Sequence, residues 1–571
     1  MPLRFLSQIT GFLALFLLAL FLLASAPRAD VARGRNGMVA SVEPLATRAG
    51  INALKSGGNA IDAAVAVALT LGVTDGYHAG IGGGCFMLIR RANGEIIALD
   101  GREMAPGAAT RDMFVRNRKG DTALSQTGAL AVGIPGSVAV YERAVNKYGR
   151  KKFAELLLPA AQIAQNGFVL DANFAARIES NAKELGTFPA SRAIFFDANG
   201  QPLRQGAVLR QSDLARSYRA LAAQGSKWFY RGEFAQKVGA WMNRNRGIIG
   251  ARDFANYRLK VRKPIETTYR GFKIVSFPPP SSGGVHVAQI LNILGNFDLA
   301  AMTPANRTHV VAEAMKLAFA DRAFWLGDPD YVRVPRGLVD AEYGRKLAAR
   351  IALDRATPVA THGTPPDFDK RVFDKRVFEK HTTHFSVADA QGNWVACTAT
   401  INTTFGSKVV VPGSGILLNN QMDDFSIQPG VANAFKLIGA QANAIAPGKR
   451  PLSSMSPTLI LRGKTPILSL GAAGGPTIIT QTVLNLIGVL DLRLPLDAAL
   501  SQPRFHHQWV PDEIRLEKSM PESIKAALRA KGHQLDEVET IGAAQIVGLD
   551  ATGNGFVGAS DPRVKGLALG F

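Results

Sequence analysis

Cysteine is almost missing from this chain: there are two in 571 residues, Cys85 and Cys397. So few, with no CxxC pair, exclude a disulfide scaffold and any cysteine-based zinc or redox motif. Both fall in strand-like apolar stretches and are expected to be free, packed thiols. Aromatic residues are sparse at 8% and charged residues at 19%, against 47% hydrophobic, which gives ample core material and excludes a disordered chain. Acidic residues fall short of basic ones, 45 against 66, for a net charge of +21 and a pI of about 10.1. The basic residues are scattered, with no run interleaved by aromatics, so a solvated cationic surface is expected and nucleic acid is not an expected partner. Three catalytic motifs are also missing. There is no GxSxG elbow. The glycines at 471–475 lack the Lys-Ser or Lys-Thr of a phosphate loop, and Gly80-Ile81-Gly82-Gly83-Gly84 runs from helix into hairpin, the reverse of a dinucleotide fingerprint.

The N-terminus is apolar in one long piece. Arg4 precedes a run from Gly11 to Ala24, and Ala24-Ser25-Ala26 has the small-x-small pattern of a signal-peptidase site, so residues 1–26 read as a signal peptide and the protein as exported. Pro27 after that cut, and a run approaching bilayer length, leave an uncleaved N-terminal anchor as the alternative. Any membrane contact is expected through that segment alone. At 571 residues the chain exceeds the usual size of a single core.

Further along, one junction stands out. Residues 363–381 contain Pro365-Pro366 and two near copies, Asp369-Lys370-Arg371-Val372-Phe373 and Asp374-Lys375-Arg376-Val377-Phe378, and read as an exposed linker. At Thr382 the pattern changes to Phe385, Val387, a turn at Asp389–Asn393, and Trp394–Ile401, a β-hairpin. A cut between His381 and Thr382 would give one residue both a nucleophilic hydroxyl and a free α-amine, the N-terminal threonine form of nucleophile plus base. The chain then divides into a large subunit, 27–381, and a small catalytic subunit, 382–571. Exposed amides for an oxyanion are best sought at Gly471–Pro476, where a strand ends and a helix begins with proline in its first turn.

Elsewhere the chain alternates helices (58–71, 308–322, 478–490) with hairpins (86–99, 458–470, 544–558), as in a layered α+β sandwich. Two tempting sites are discounted. Adjacent Asp423 and Asp424 cannot flank a glycosidic bond at the needed separation. Adjacent His506 and His507 point to opposite faces of a strand and have no third ligand in suitable spacing, so no metal is expected.

Several blocks in order resemble the gamma-glutamyltransferase family of N-terminal nucleophile hydrolases. They are Thr382-Thr383-His384, Asn402-Thr403-Thr404-Phe405-Gly406, Gly415 through Phe425, Arg450-Pro451-Leu452-Ser453-Ser454-Met455-Ser456-Pro457 and Asp561-Pro562-Arg563. Upstream blocks at Gly80–Gly84, Asp100–Pro106, Pro279–His286 and Gly327–Asp330 extend the likeness over nearly all of the chain after the leader. The resemblance implies a four-layer αββα fold, no cofactor, and a γ-glutamyl donor such as glutathione with water, an amino acid or a peptide as acceptor. It implies that Thr400 orients Thr382, that Gly474 and Gly475 hold the oxyanion, that Asn402, Gln421 and Asp424 bind the donor's α-amino group, and that Arg102, Ser453 and Ser454 bind its α-carboxylate. A sequon at Asn402 would then lie in the active site, which favours a bacterial periplasm. Two departures are visible: His381 stands where family members often carry a small or uncharged residue, and Phe435 stands where bacterial relatives commonly have a tyrosine at the tip of a lid, here 429–440. A cephalosporin-type amide acylase on the same scaffold and an inactive exported binding protein are the alternatives.

Overall fold

The computed structural model describes residues 29–366, 382–428, 433–435, 437 and 439–571. The expected leader, the linker beyond residue 366 with His381, and positions 429–432, 436 and 438 of the expected lid lie outside them.

Period-two alternation builds the centre of the molecule. In the strand Gly84–Arg90 every residue is buried; Phe86 and Leu88 enter one hydrophobic core while Cys85, Met87 and Ile89 enter another. The first core lies between two seven-stranded antiparallel sheets, where the Phe86 ring stacks on Phe277 at 4.2 Å and Trp394 meets Phe556 edge-on at 5.7 Å. The second lies under helices Pro44–Lys55 and Ala60–Thr74. On the far side, helices Gly283–Leu294, Pro304–Trp325 and Thr477–Leu486 cover the second sheet. Helix, sheet, sheet, helix is the four-layer α+β sandwich.

The first sheet runs Leu567–Gly570, Gly37–Ser41, Thr383–Asp389, Trp394–Thr400, Gly84–Arg90, Ile96–Gly101, Lys260–Arg262. Its two central strands thus follow residue 382, whereas those flanking them precede it, so the portions before and after the junction share one sheet and one core. The second sheet runs Val31–Gly34, Phe556–Ser560, Ala543–Leu549, Thr465–Ala473, Thr458–Arg462, Phe272–Ser276, Ile265–Tyr269 and is mixed in the same way.

Local chemistry sets the key ends. Helix Ala60–Thr74 is buried all round; its Asn59 cap accepts from the Ile61 and Asp62 amides, and Asp62 returns a bond to the Asn59 amide. Asp389, at the end of the strand after Thr382, accepts from the Ala60 amide at 2.8 Å and ties that helix to the nucleophile hairpin. The two sheets close on each other near Thr382: a Cβ on Gly471 would lie 2.4 Å from the His384 ring, and Ser469 Oγ lies within hydrogen-bond reach of Ser386 Oγ and the Val395 carbonyl, each at 3.1 Å. Helix boundaries shift modestly from expectation. Pro304 starts the long helix a turn early behind its Thr303 cap, and the helix from Thr477 gives way after Leu486 to a π turn, Ile487–Asp491. Cys85 and Cys397 are free and buried, and burial pushes the Cys397 thiol well up.

Candidate active site

Thr382 sits at the head of the strand Thr383–Asp389, buried, with its Oγ1 3.4 Å from Thr400 Oγ1. Thr400 ends the paired strand Trp394–Thr400, whose register sets Ala399 opposite Thr383. Its hydroxyl also accepts from the Asn402 amide at 2.9 Å, a bond made possible by a left-handed Asn402 at φ 79°. The glycines upstream let this backbone pass: a Cβ on Gly83 would lie 2.1 Å from the Thr400 carbonyl oxygen. His384 belongs to the sheet interface, between Thr398 Oγ1 and Ser386 Oγ, and burial drives its pKa down to about 3.

Strand Thr465–Ala473 runs out at Gly474 and Gly475, and both glycines have positive φ, 130° and 58°. Helix Thr477–Leu486 starts immediately after Pro476. The Gly474 carbonyl is taken by Thr477 Oγ1 at 2.8 Å, which fixes the turn, while neither glycine amide donates a hydrogen bond to another described residue. Two donors at a helix start, beside a buried hydroxyl, are suited to stabilising an oxyanion.

The remaining expected residues converge on the same cavity. Thr382, Thr400 and Gly475 line it together with Arg102, Asn402, Gln421, Asp424, Ser453, Ser454 and Phe435. As closed here it holds about 20 Å³, room for about one water molecule. Asn402 donates to the Asn420 carbonyl at 3.0 Å and is buried, so its sequon is not a surface one. Gln421 donates to Asp424 at 2.7 Å and leaves its own carbonyl oxygen buried without a partner. Ser453 Oγ accepts from the Met455 amide at 3.1 Å.

Arg102 and Asp424, which the resemblance assigns to opposite ends of a substrate head, here bond directly to each other. The Arg102 guanidinium is completed by the Pro451 and Leu452 carbonyls at 3.0 and 3.1 Å. Its amide donates to Asp100 at 2.9 Å, and Arg262 holds Asp100 from the other side at 3.0 Å. Burial raises the Asp424 pKa, and the Arg102 charge pulls it back. Behind Arg102, Glu103 is buried with neither carboxylate oxygen hydrogen-bonded; burial pushes its pKa to about 8 against the pull of Arg102, whose guanidinium lies 3.6 Å away.

The family-like blocks outside the cavity are supports. Asp328 accepts from the Arg450 amide at 2.8 Å and so anchors the 450–454 segment, and Asp561 accepts from the Ala544 amide at 2.7 Å. Asp423 does not line the cavity: its Oδ2 accepts from the Ala434 amide at 2.7 Å, and burial moves its pKa to about 7. Phe435 is buried at the cavity wall, its amide on Asn433 Oδ1 at 2.9 Å.

Arg322 was not foreseen. Its guanidinium lines the cavity and donates to Ser282 Oγ at 2.8 Å and Ser454 Oγ at 3.0 Å, and burial lowers its pKa to about 10. Asp424 is thus faced by two arginines. The signal in the sequence was a charged pair, Asp321-Arg322, on a helix that otherwise reads as core.

The family model described as Gamma-glutamyltranspeptidase matches residues 46–571. A glutathione hydrolase proenzyme of Escherichia coli is 43% identical over 94% of this chain and 92% of its own length. An acylase ACY 1 proenzyme of a Pseudomonas strain is 37% identical over 88% of each chain. The crystal structure of a cephalosporin acylase from Bacillus halodurans superposes with a TM-score of 0.84 at 28% identity, over 96% of this chain and 98% of that one. The threonine pair, the glycine turn and a match over nearly the whole chain lead to one conclusion: this chain belongs to the gamma-glutamyltranspeptidase family.

Proposed function

We propose that the chain cuts itself between His381 and Thr382, and that the freed Thr382 then transfers the γ-glutamyl group of glutathione or related donors to water, an amino acid or a peptide. The enzyme class, a gamma-glutamyltransferase and glutathione hydrolase, follows from family membership over nearly the whole chain. In cleavage, Thr382 Oγ1 attacks the His381 carbonyl carbon, the C–N bond breaks to leave an ester, and water releases the large subunit with a free α-amine on Thr382. Uncut, that nitrogen is an amide and cannot serve as a base. Once free it titrates near about 7.7 to 8.0 and is substantially neutral at physiological pH.

In turnover the amine takes the Oγ1 proton as oxygen attacks the γ-carbonyl. The Gly474 and Gly475 amides bear the oxyanion. The proton passes to the leaving amine as the amide bond breaks, and the γ-glutamyl-threonine ester goes on to water or an acceptor amine. Recognition falls to exchange of charges. A donor's α-carboxylate and α-ammonium replace, charge for charge, the bond that Arg102 and Asp424 make with each other. Asn402 and Gln421 complete the ammonium end, Ser453 and Ser454 the carboxylate end, and the lid carrying Phe435 must open, since the closed cavity holds about one water.

The single observation supporting this reading is Thr382 Oγ1 in one cavity with the Gly475 turn and the Arg102–Asp424 pair. The acylase relatives supply a second reading, in which an acyl group without an amino-acid head is the substrate. That group would leave the two buried charges without substrate partners. Export is proposed from the leader; among the described residues no helix is long and apolar enough to cross a membrane. A denaturing gel with N-terminal sequencing tests the cleavage: wild type gives a smaller fragment beginning Thr-Thr-His, and Thr382→Ala stays whole and inactive toward a γ-glutamyl anilide. Maturation of Thr382→Ala at the same bond overturns the mechanism.

A further inference from the structure

Well away from the cavity, the long helix Pro304–Trp325 carries His309 and Glu313 one turn apart on a single face. Helix Glu522–Ala530 packs across from it and ends in a left-handed turn at Gly532, φ 91°, which delivers His533 against that face. His309 Nδ1 lies 2.7 Å from His533 Nε2, and the rings meet edge-on at 5.0 Å. All three side chains are buried, and one ligand atom from each lies within 4.8 Å of the others.

The proton positions follow from the partners. His309 Nε2 is 2.7 Å from the Ala352 carbonyl oxygen, which can only accept, so that nitrogen holds the ring proton and Nδ1 presents its lone pair inward. An outward N–H on a carbonyl with an inward lone pair is the arrangement that orients metal-binding imidazoles. Glu313 is placed by the Thr357 amide on Oε2 at 3.1 Å and by Lys316 Nζ 2.8 Å from Oε1. Lys316 also meets Asp512 at 2.9 Å, and Asp512 faces His507 Nε2 at 3.1 Å. Lys316 thus bridges the buried Glu313 and the half-exposed Asp512.

We infer that His309, Glu313 and His533 form a binding site for a divalent transition-metal ion of the zinc type. Two imidazoles and one carboxylate are a donor set of the borderline kind that zinc takes, with one position left for water. On binding, the proton between the rings moves from His533 Nε2 to its Nδ1, the N–H···N bond is exchanged for two N–metal bonds, and no proton is released. Of the adjacent pair, His506 lies between Thr480 Oγ1 and Gln508 Oε1, and His507 reaches the cluster only through Asp512. His309 and Glu313 precede residue 382 and His533 follows it, so a bound ion clips together the two portions that the proposed cleavage would separate. That last role rests on the cleavage reading, whereas the site itself does not.

The test uses the full chain, stripped with a chelator and titrated with zinc sulfate. The expected result is one zinc per chain by elemental analysis and a Tm higher by several degrees. Glu313→Gln, which conserves volume, and His533→Ala should fold, by circular dichroism, and lose both effects. His533→Gln serves in place of His533→Ala where that variant does not fold. A wild type that takes up no stoichiometric zinc overturns the proposal, as does a Tm shift of equal size in folded Glu313→Gln. Both readouts are independent of enzymatic activity, so failure here leaves the proposed reaction standing.

Discussion

The two ends of the cavity are built differently. Around Thr382 the groups proposed to react are fixed by backbone: a strand head, the facing strand's Thr400 and a glycine turn, joined by ladder hydrogen bonds. Around Asp424 they are fixed by buried charge: Arg102 bonded to Asp424, Arg322 on Ser454, the Glu103 carboxylate with no hydrogen bond, and Asp423 on the Ala434 amide. Backbone placement buries no net charge, while a buried ion pair is sustained only as long as each charge keeps its partner. The first end is therefore suited to holding geometry and the second to exchanging one set of charges for another.

The sharpest way to break that contrast is Asp424→Asn. It leaves Arg102 buried without its counter-charge and should cost about 2 to 5 kcal/mol in kcat/KM for a γ-glutamyl donor, while cleavage at Thr382 is spared. Unchanged turnover would remove Asp424 from recognition. Next comes Arg322→Lys, which cannot span Ser282 and Ser454 with a planar fork. Losing one hydrogen bond to a charged group, about 1.5 to 3 kcal/mol, should raise the donor KM about tenfold or more with a smaller change in kcat. Initial-rate kinetics decide it.

A smaller effect is expected at Glu103. Its folded pKa, about 8, stands above the 4.5 of the unfolded chain, so the folded state binds the proton more tightly. Its linkage therefore lowers stability progressively as pH rises from about 4.5 to 8, and the loss levels off above. Glu103→Gln lacks this term, so Tm profiles from pH 5 to 9 should shift in favour of the variant by a few degrees as pH rises. Parallel profiles would show that Glu103 does not titrate in this range. Smallest is Phe435→Tyr at the lid. One added hydrogen bond, about 0.5 to 1.5 kcal/mol, should favour the closed lid, exclude water and raise transfer to a dipeptide over hydrolysis several-fold. The product ratio from glutathione with and without acceptor measures it, and an unchanged ratio would separate the lid tip from water entry.

Much of this was readable in one dimension. The change at Thr382 from a charged, turn-rich segment to an alternating strand is a local pattern, and so are the hairpins, the mostly apolar helix expected at 58–71 and the glycine turn before Pro476. Local pattern suffices there because strand and turn preferences depend on residues a few positions apart. The family blocks carried the rest of the cavity list, and each of those residues lines one cavity except Gly474, which sits at its edge in the same turn.

What the sequence could not decide was who partners whom across long separations. Arg102 meets Asp424 over 322 residues, Arg322 reaches Ser454 over 132, and His309 meets His533 over 224. A charged residue on a buried helix looks the same in sequence whether it faces a counter-ion, a substrate or a metal. Only the stacking of two sheets under helices on both sides fixes which face it points from and what lies opposite. The sequence determined where the chain turns from linker to strand and which residues are apolar on which face; tertiary packing alone decided the pairing of buried charges, because in a low-dielectric interior a charge is tolerated only beside the partner that the fold brings to it.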